Sequence, residues 1–287
     1  MVGIRHILIL LTLAAMSPGH GRAAPRLGDH ASGTETSLFA QTATETFNHE
    51  FPGAAVSFLL LDGRDGRVLV SRWDQLDAAI PLGSLVKPFA ALAYGEAHEF
   101  QYPNHTCRGT ASGCWLPHGH GDLDLTDAIA FSCNSYFRML TAKLRAVDVV
   151  PTAIRFGLEP PDQDAAGPAL FGIGDQWRIS PLRMSRAYLD LARGQRSPGV
   201  SQILEGMAQS ARRGTGAEVG RALPFRSALV KTGTAMCTHG QVATGDGFAM
   251  VLLPADAPQI VLMVRVHGVP GAQAAKVAGQ MLRRIGE

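Results

Sequence analysis

The chain has 287 residues, of which 46% are hydrophobic and 17% charged, so it is globular in composition and can bury one large core or two modest ones. Its formal net charge of +2 is scattered, with no basic stripe, which excludes nucleic acid as a partner on charge grounds. The 32 glycines and 17 prolines mark many turns and predict a mixed fold with several loops.

Arg5 and His6 precede the apolar run Ile7 to Met16, and the breaker-rich SPGHGRAA follows. The pattern predicts an export signal over residues 1–23, cleaved after Ala23 with Gly21 and Ala23 at the small-residue positions, and hence a periplasmic or extracellular protein. The run is short for a bilayer span, so membrane attachment is expected only if the signal is retained. Residues 24–35 are polar and read as a loose, flexible mature N-terminus.

A helix fits Ser37 to Glu50, with Phe39, Ala43, Phe47 and Phe51 recurring every four residues. Two strand-like runs, AAVSFLLL and RVLVSRW, follow around DGRDG and read as a hairpin. Ser84 to His98 is helical by pattern, with Pro88 tolerated in the first turn. From there to about residue 222 the chain shows only helical periods and loops. Thr126 is placed to cap a short helix, Tyr136, Leu140 and Leu144 stripe the next, and Ser180 with Pro181 opens another carrying Met184, Tyr188 and Leu191. Strands return with ALVKTGTAMC, GFAMVLL and IVLMVRVHG, and a final helix carries Ala275, Ala278, Met281, Leu282 and Ile285 on one face. This order predicts an α+β fold: an antiparallel sheet flanked by N- and C-terminal helices, with an inserted all-α subdomain. The α/β lobe would comprise residues 36–87 and 223–287 and the α lobe residues 88–222, with the site in a cleft between them.

Cys107 and Cys114 lie in the polar loop HTCRGTASGCW, where an oxidising compartment favours a local disulfide. Zinc competes for these residues because His105, His118 and His120 are near, but the spacing matches no common zinc template. Cys133 and Cys237 read as buried thiols or as a bridge, and the sequence leaves that choice open.

Three short motifs carry the chemistry. Ser84-Leu-Val-Lys87 puts a hydroxyl and an amine on one face of a helix, Ser132-Cys-Asn134 falls between two helices, and Lys231-Thr232-Gly233-Thr234 lies on the first strand after the helical block. Each alone has an ordinary reading. Ser-x-x-Lys recurs by chance, Ser132 and Asn134 suit a cap or turn, Lys231 suits a strand edge, and Thr232 and Thr234 suit a strand face. His118 and His120 read as loop residues, and Trp115 and Tyr136 as packing. The spacing of Ser84 and Lys87 permits acyl transfer: a serine is a poor nucleophile until a neutral amine takes its proton. That amine is an unperturbed lysine of pKa about 10.4 unless burial and a second cation depress it.

The same three motifs resemble those of the penicillin-binding protein and serine β-lactamase superfamily, and GSLVKPFAALA, HGDLDLTDAIAFSCNSYF, FGIGDQWRISPLRMSRAYLDLA, MAQSARRGTGAEV and VKTGTA are similar to segments of its transpeptidase branch. The resemblance implies a transpeptidase-like domain over residues 36–287, without a pedestal or glycosyltransferase domain. It implies catalysis by Ser84, Lys87, Ser132 and Lys231, with Ser132 relaying a proton and Lys231 keeping the cleft positive. Asn134 would hold the substrate amide, Thr232 and Thr234 its carboxylate, and Gly233 would let the strand approach the substrate. Backbone N–H groups of Ser84 and Thr234 would form the oxyanion hole. The implied function is penicillin-sensitive D,D-transpeptidation or D,D-carboxypeptidation of peptidoglycan stem peptides, with no metal or organic cofactor in the chemistry. Stem peptides, β-lactams and other cell-wall enzymes are the implied partners. A serine β-lactamase is the first alternative, but the ExxLN pattern of class A enzymes is absent, with Glu159 in GLEPP a poor match, and class D enzymes carry a hydrophobic residue at the Asn134 position. A non-catalytic β-lactam- or muropeptide-binding partner of another wall enzyme is the second.

Overall fold

The computed structural model describes residues 27–238 and 245–286, with side chains from residue 36 onward. The predicted export signal lies outside the described residues. Among those described, no helix is long and apolar enough to cross a membrane.

Helix α1 (Leu27–Glu50) begins ten residues before the expected Ser37, so residues 27–35 are helical rather than loose. No proline interrupts the chain between Pro25 and Pro52, and a helix nucleated by the apolar stripe extends at little further cost. Strands β1 (Val56–Asp62) and β2 (Val68–Arg72) form the expected hairpin. After β3 (Ile80–Pro81), a 3-10 turn over Gly83–Val86 leads into α2 (Lys87–Ala97), so Ser84 sits on the turn and Lys87 opens the helix.

The middle of the chain is not purely helical. It contains β4 (His105–Cys107) paired antiparallel with β5 (Gly121–Leu123), and β6 (Arg178–Ile179) paired with β3. These runs of two or three residues are too short for a period to register. The helices there are α3 (Leu125–Ala130), α4 (Asn134–Thr141), α5 (Ala146–Arg155), α6 (Pro181–Arg193), α7 (Val200–Arg213) and α8 (Ala217–Ala222). Asp124, not Thr126, caps α3, its carboxylate accepting from Asp127 N–H at 2.8 Å, while Ser180 caps α6 as expected. Strands β7 (Leu229–Ala235), β8 (Asp246–Leu253) and β9 (Ile260–His267) and helix α9 (Gly271–Gly286) complete the chain.

The five long strands form one antiparallel sheet in the order β2-β1-β9-β8-β7. Side chains alternate across a strand, and here both faces are covered. Phe58, Leu60, Val251 and Leu262 pack with Phe47 of α1 and Ala275, Ala278 and Met281 of α9. Leu59, Leu61, Met250 and Met263 face the helices α2 to α7. That double coverage explains why these strands read as unbroken apolar runs. Phe47 and Phe58 meet edge to face, ring centroids 5.1 Å apart, each burial worth about 1.5–3 kcal/mol. The sheet is the fixed wall of the site, because β7 is its edge strand and lies against the Ser84 turn.

Candidate active site

Three pieces of chain distant in sequence converge at the outer edge of β7. The first is the Gly83–Val86 turn. Gly83 has φ of +56°, and a Cβ there would overlap the Thr234 carbonyl, so only glycine lets the turn lie against β7. Gly233 answers it from the strand: a Cβ at that position would come within 2.5 Å of the Leu82 carbonyl. The absent side chain at 233 thus admits the Ser84 turn against the strand. Tyr188 on α6 fixes the same turn, its hydroxyl donating to the Leu85 carbonyl at 2.7 Å.

The second piece is the junction of α3 and α4. Ser132 N–H and Cys133 N–H close α3 onto Ile129 and Ala128 carbonyls, at 3.2 and 3.0 Å, and Ser132 takes a positive φ of 51°. Glycine usually fills that left-handed position, and a side chain there costs about 1–2 kcal/mol. The strain aims the Ser132 carbonyl and hydroxyl at the lysines. Lys87 Nζ donates to Ser132 O at 2.8 Å, to Asn134 Oδ1 at 2.7 Å and to Ser132 Oγ at 3.3 Å.

The third piece is β7. Lys231 Nζ donates to Ser132 Oγ at 2.8 Å and to Thr232 O at 2.7 Å. Alternation puts Lys231 and Gly233 toward the helices, and Thr232 and Thr234 on the opposite side. There Thr232 donates to Thr215 Oγ1 at 2.6 Å, and Thr234 accepts from Gly271 N–H at 3.0 Å. Thr232 is buried and Thr234 exposed, so the pair marks the passage from floor to rim.

Both lysines are completely buried. Burial brings Lys87 down to about 7, while the sulfurs of Cys133 and Cys114 push it back up; the rings of Phe137 and Phe171, 5.2 and 5.6 Å from Nζ, supply the apolar wall. Burial, and then the charge of Lys87, hold Lys231 well below the usual lysine range. Two amines with lowered pKa therefore share one hydroxyl. As the acceptor from both, Ser132 Oγ retains its own proton to donate.

Sequence reasoning missed Thr215 and the hydrogen bond from Trp115 Nε1 to Ser132 O at 3.3 Å, neither of which any spacing rule reveals. Tyr136 packs as expected, fully buried, with its hydroxyl on Pro103 O. The expected Cys107–Cys114 disulfide is not formed. No disulfide is formed among the described residues, and Cys107 and Cys114 both face His120 at 3.6 and 3.5 Å, with Cys114 also 3.8 Å from Cys133. His105 bonds Ser135 Oγ and His118 is exposed, so neither joins them. Cys237 lies 3.3 Å from His267, away from Cys133. Glu159 is held by Arg183 and the Ser180 N–H at the start of α6. A separate cavity of about 780 Å³, lined by Thr36, Phe39, Asp62, Arg64 and Ile260 among others, contains none of the site residues.

A model of the penicillin-binding protein transpeptidase domain matches residues 56–287. Among solved structures, the chain is similar to Pseudomonas aeruginosa PBP2 in complex with WCK 5153, with TM-score 0.69 and 19% identity over 86% of this chain and 73% of that one. It is similar to Helicobacter pylori PBP2 in complex with MreC, with TM-score 0.70 and 16% identity over 85% of this chain and 61% of that one. The transpeptidase domain of Burkholderia pseudomallei penicillin-binding protein 3 matches with TM-score 0.66 and 17% identity, over 88% of this chain and 92% of that one. No curated protein matches the sequence.

Proposed function

The chain belongs to the penicillin-binding protein transpeptidase domain family, and from that premise we propose that it is an acyl-serine enzyme acting on the D-Ala-D-Ala end of peptidoglycan stem peptides, outside the cytoplasm, and acylated by β-lactams at the same serine. The observation that carries this reading is the meeting of Lys87 and Lys231 on Ser132 Oγ, both amines buried and depressed.

With Lys87 at about 7, a sizeable share of the protein holds it as a free amine at neutral pH. Ser84 Oγ attacks the penultimate D-Ala carbonyl carbon and its proton passes to Lys87 Nζ. The tetrahedral oxyanion lies against the Ser84 turn and β7, where the N–H groups of Ser84 and Thr234 serve as donors. Collapse breaks the C–N bond, and the departing D-alanine nitrogen takes a proton from Ser132 Oγ, which is resupplied by Lys231 or Lys87. An acceptor amine then attacks the ester for cross-linking, or water attacks it for trimming. As an edge strand, β7 offers a backbone along which an extended peptide can lie as a further strand, with Thr232 and Thr234 receiving its carboxylate. Asn134 trades its bond to Lys87 for one to the substrate amide.

A β-lactamase needs a base for rapid deacylation. Glu159, the only glutamate in the corresponding stretch, is engaged at the start of α6. The test is incubation of the purified protein with a fluorescent penicillin, followed by peptide mapping. A long-lived adduct on Ser84 is expected. No adduct defeats the reading, and ring-opened drug released within seconds replaces it with the lactamase. A pentapeptide donor with and without an acceptor amine then separates transpeptidation from carboxypeptidation.

A further inference from the structure

We propose that Cys107, Cys114, His120 and Cys133 form a closed, structural zinc(II) site that pins the Ser132–Asn134 turn to the β4–β5 loop. The four ligand atoms lie within 4.8 Å of one another. A tetrahedral zinc with Zn–S of about 2.3 Å and Zn–N of about 2.0–2.1 Å requires edges of about 3.8 Å between sulfurs and about 3.5 Å between sulfur and nitrogen. Three of the six edges match these lengths, at 3.8 Å for Cys114 to Cys133, 3.5 Å for Cys114 to His120 and 3.6 Å for Cys107 to His120, and the other three are within 4.8 Å.

Hydrogen bonding alone accounts poorly for this cluster. His120 Nδ1 carries either a proton or a lone pair, so it cannot act as donor to one sulfur and acceptor from the other. One central cation satisfies all four atoms. The Cys107 sulfur has a further polar neighbour, Ser112 Oγ, which donates to it at 4.0 Å. The His120 ring is set between Phe131, stacked at 5.3 Å, and Trp115, edge-on at 5.4 Å. The three cysteines are buried, at 2%, 5% and 0% exposure for Cys107, Cys114 and Cys133. Three thiolates and an imidazole select zinc among common divalent ions, and four protein ligands leave no open position for a substrate, so the metal's role is structural. The spacing Cys107, Cys114, His120 shows only three ligands. The fourth arrives from the α3–α4 junction, the middle residue of the Ser132-Cys133-Asn134 motif.

The test begins with the full chain purified without chelator. Elemental analysis is expected to give one zinc per chain, and zinc-edge X-ray absorption three sulfurs and one nitrogen with Zn–S of about 2.3 Å. Ser84→Ala retains the metal, so the result is independent of acyl-enzyme chemistry. Cys107→Ser lowers its content; if that variant does not fold, cobalt added to chelated wild-type protein gives the absorption of a tetrahedral thiolate complex. Amide hydrogen exchange across residues 128–137 should accelerate at least roughly tenfold on chelation and recover with zinc. Protein that neither holds zinc nor takes up cobalt, a shell of oxygen and nitrogen only, or a Cys107–Cys114 disulfide in non-reducing peptide mapping overturns the site. Unchanged exchange in metal-free protein overturns the pinning.

Discussion

Two buried clusters hang on the tripeptide Ser132-Cys133-Asn134, and they differ in what they must do. On one side, Lys87 and Lys231 hold the flanking Ser132 and Asn134 through hydrogen bonds that the proposed acyl transfer would have to exchange. On the other, Cys133 faces two further cysteines and a histidine in an arrangement with nothing to exchange. A left-handed serine at φ 51° between them is strained, and such a residue persists only where its surroundings over-determine it. On the two proposals the labour is divided: one cluster moves protons while the other keeps the turn in place.

Substitutions can break that contrast in a graded way. Ser84→Ala, which leaves both clusters intact, should lower acylation by penicillin at least ~10⁴-fold, read by intact-mass spectrometry over hours. Lys87→Ala removes the base and should cost about 10³–10⁴-fold in the second-order acylation rate. In wild type that rate should be half-maximal near pH 7 and fall about tenfold per unit below it, because protonation of Lys87 removes the free amine. A flat profile between pH 5.5 and 8.5 would remove Lys87 from the role. Lys231→Ala leaves Ser132 with a single amine and should cost about 10²–10³-fold. Cys133→Ser tests the static side and should cost about 10–100-fold in acylation together with a lower Tm, the joint loss that separates a positioning role from a chemical one. Smallest is Trp115→Phe, which deletes one hydrogen bond to the Ser132 carbonyl and should slow acylation about fivefold, worth about 1 kcal/mol.

The sheet and the terminal helices were legible in the sequence because their signals are long. Runs such as IVLMVRVHG, and the spacing of Ala275, Ala278 and Met281, survive any local exception. The grouping of Lys87, Ser132, Asn134 and Lys231 was legible through motif order, since side-chain types at fixed spacings can be read directly. What could not be read is three-dimensional. β4 and β6 are too short for a period, and Asp124 outcompetes the neighbouring Thr126 for the α3 cap. Cys133 belongs with Cys107 and Cys114 only after α3 has brought it back to the loop. The expectation of a local disulfide rested on sequence proximity, whereas each thiol instead lies beside His120.

The mutual exclusion of side chains at Gly83 and Gly233 reaches beyond the resting structure. Backbone touches backbone there, so the floor beneath the Ser84 turn has no atom left to trim and no space in which to add one. Descendants of this sequence that reshape the site must therefore do so at the margin, through positions such as exposed Trp115 and Thr234. The geometry divides the chain's evolutionary freedom: a frozen foundation carries an adaptable border.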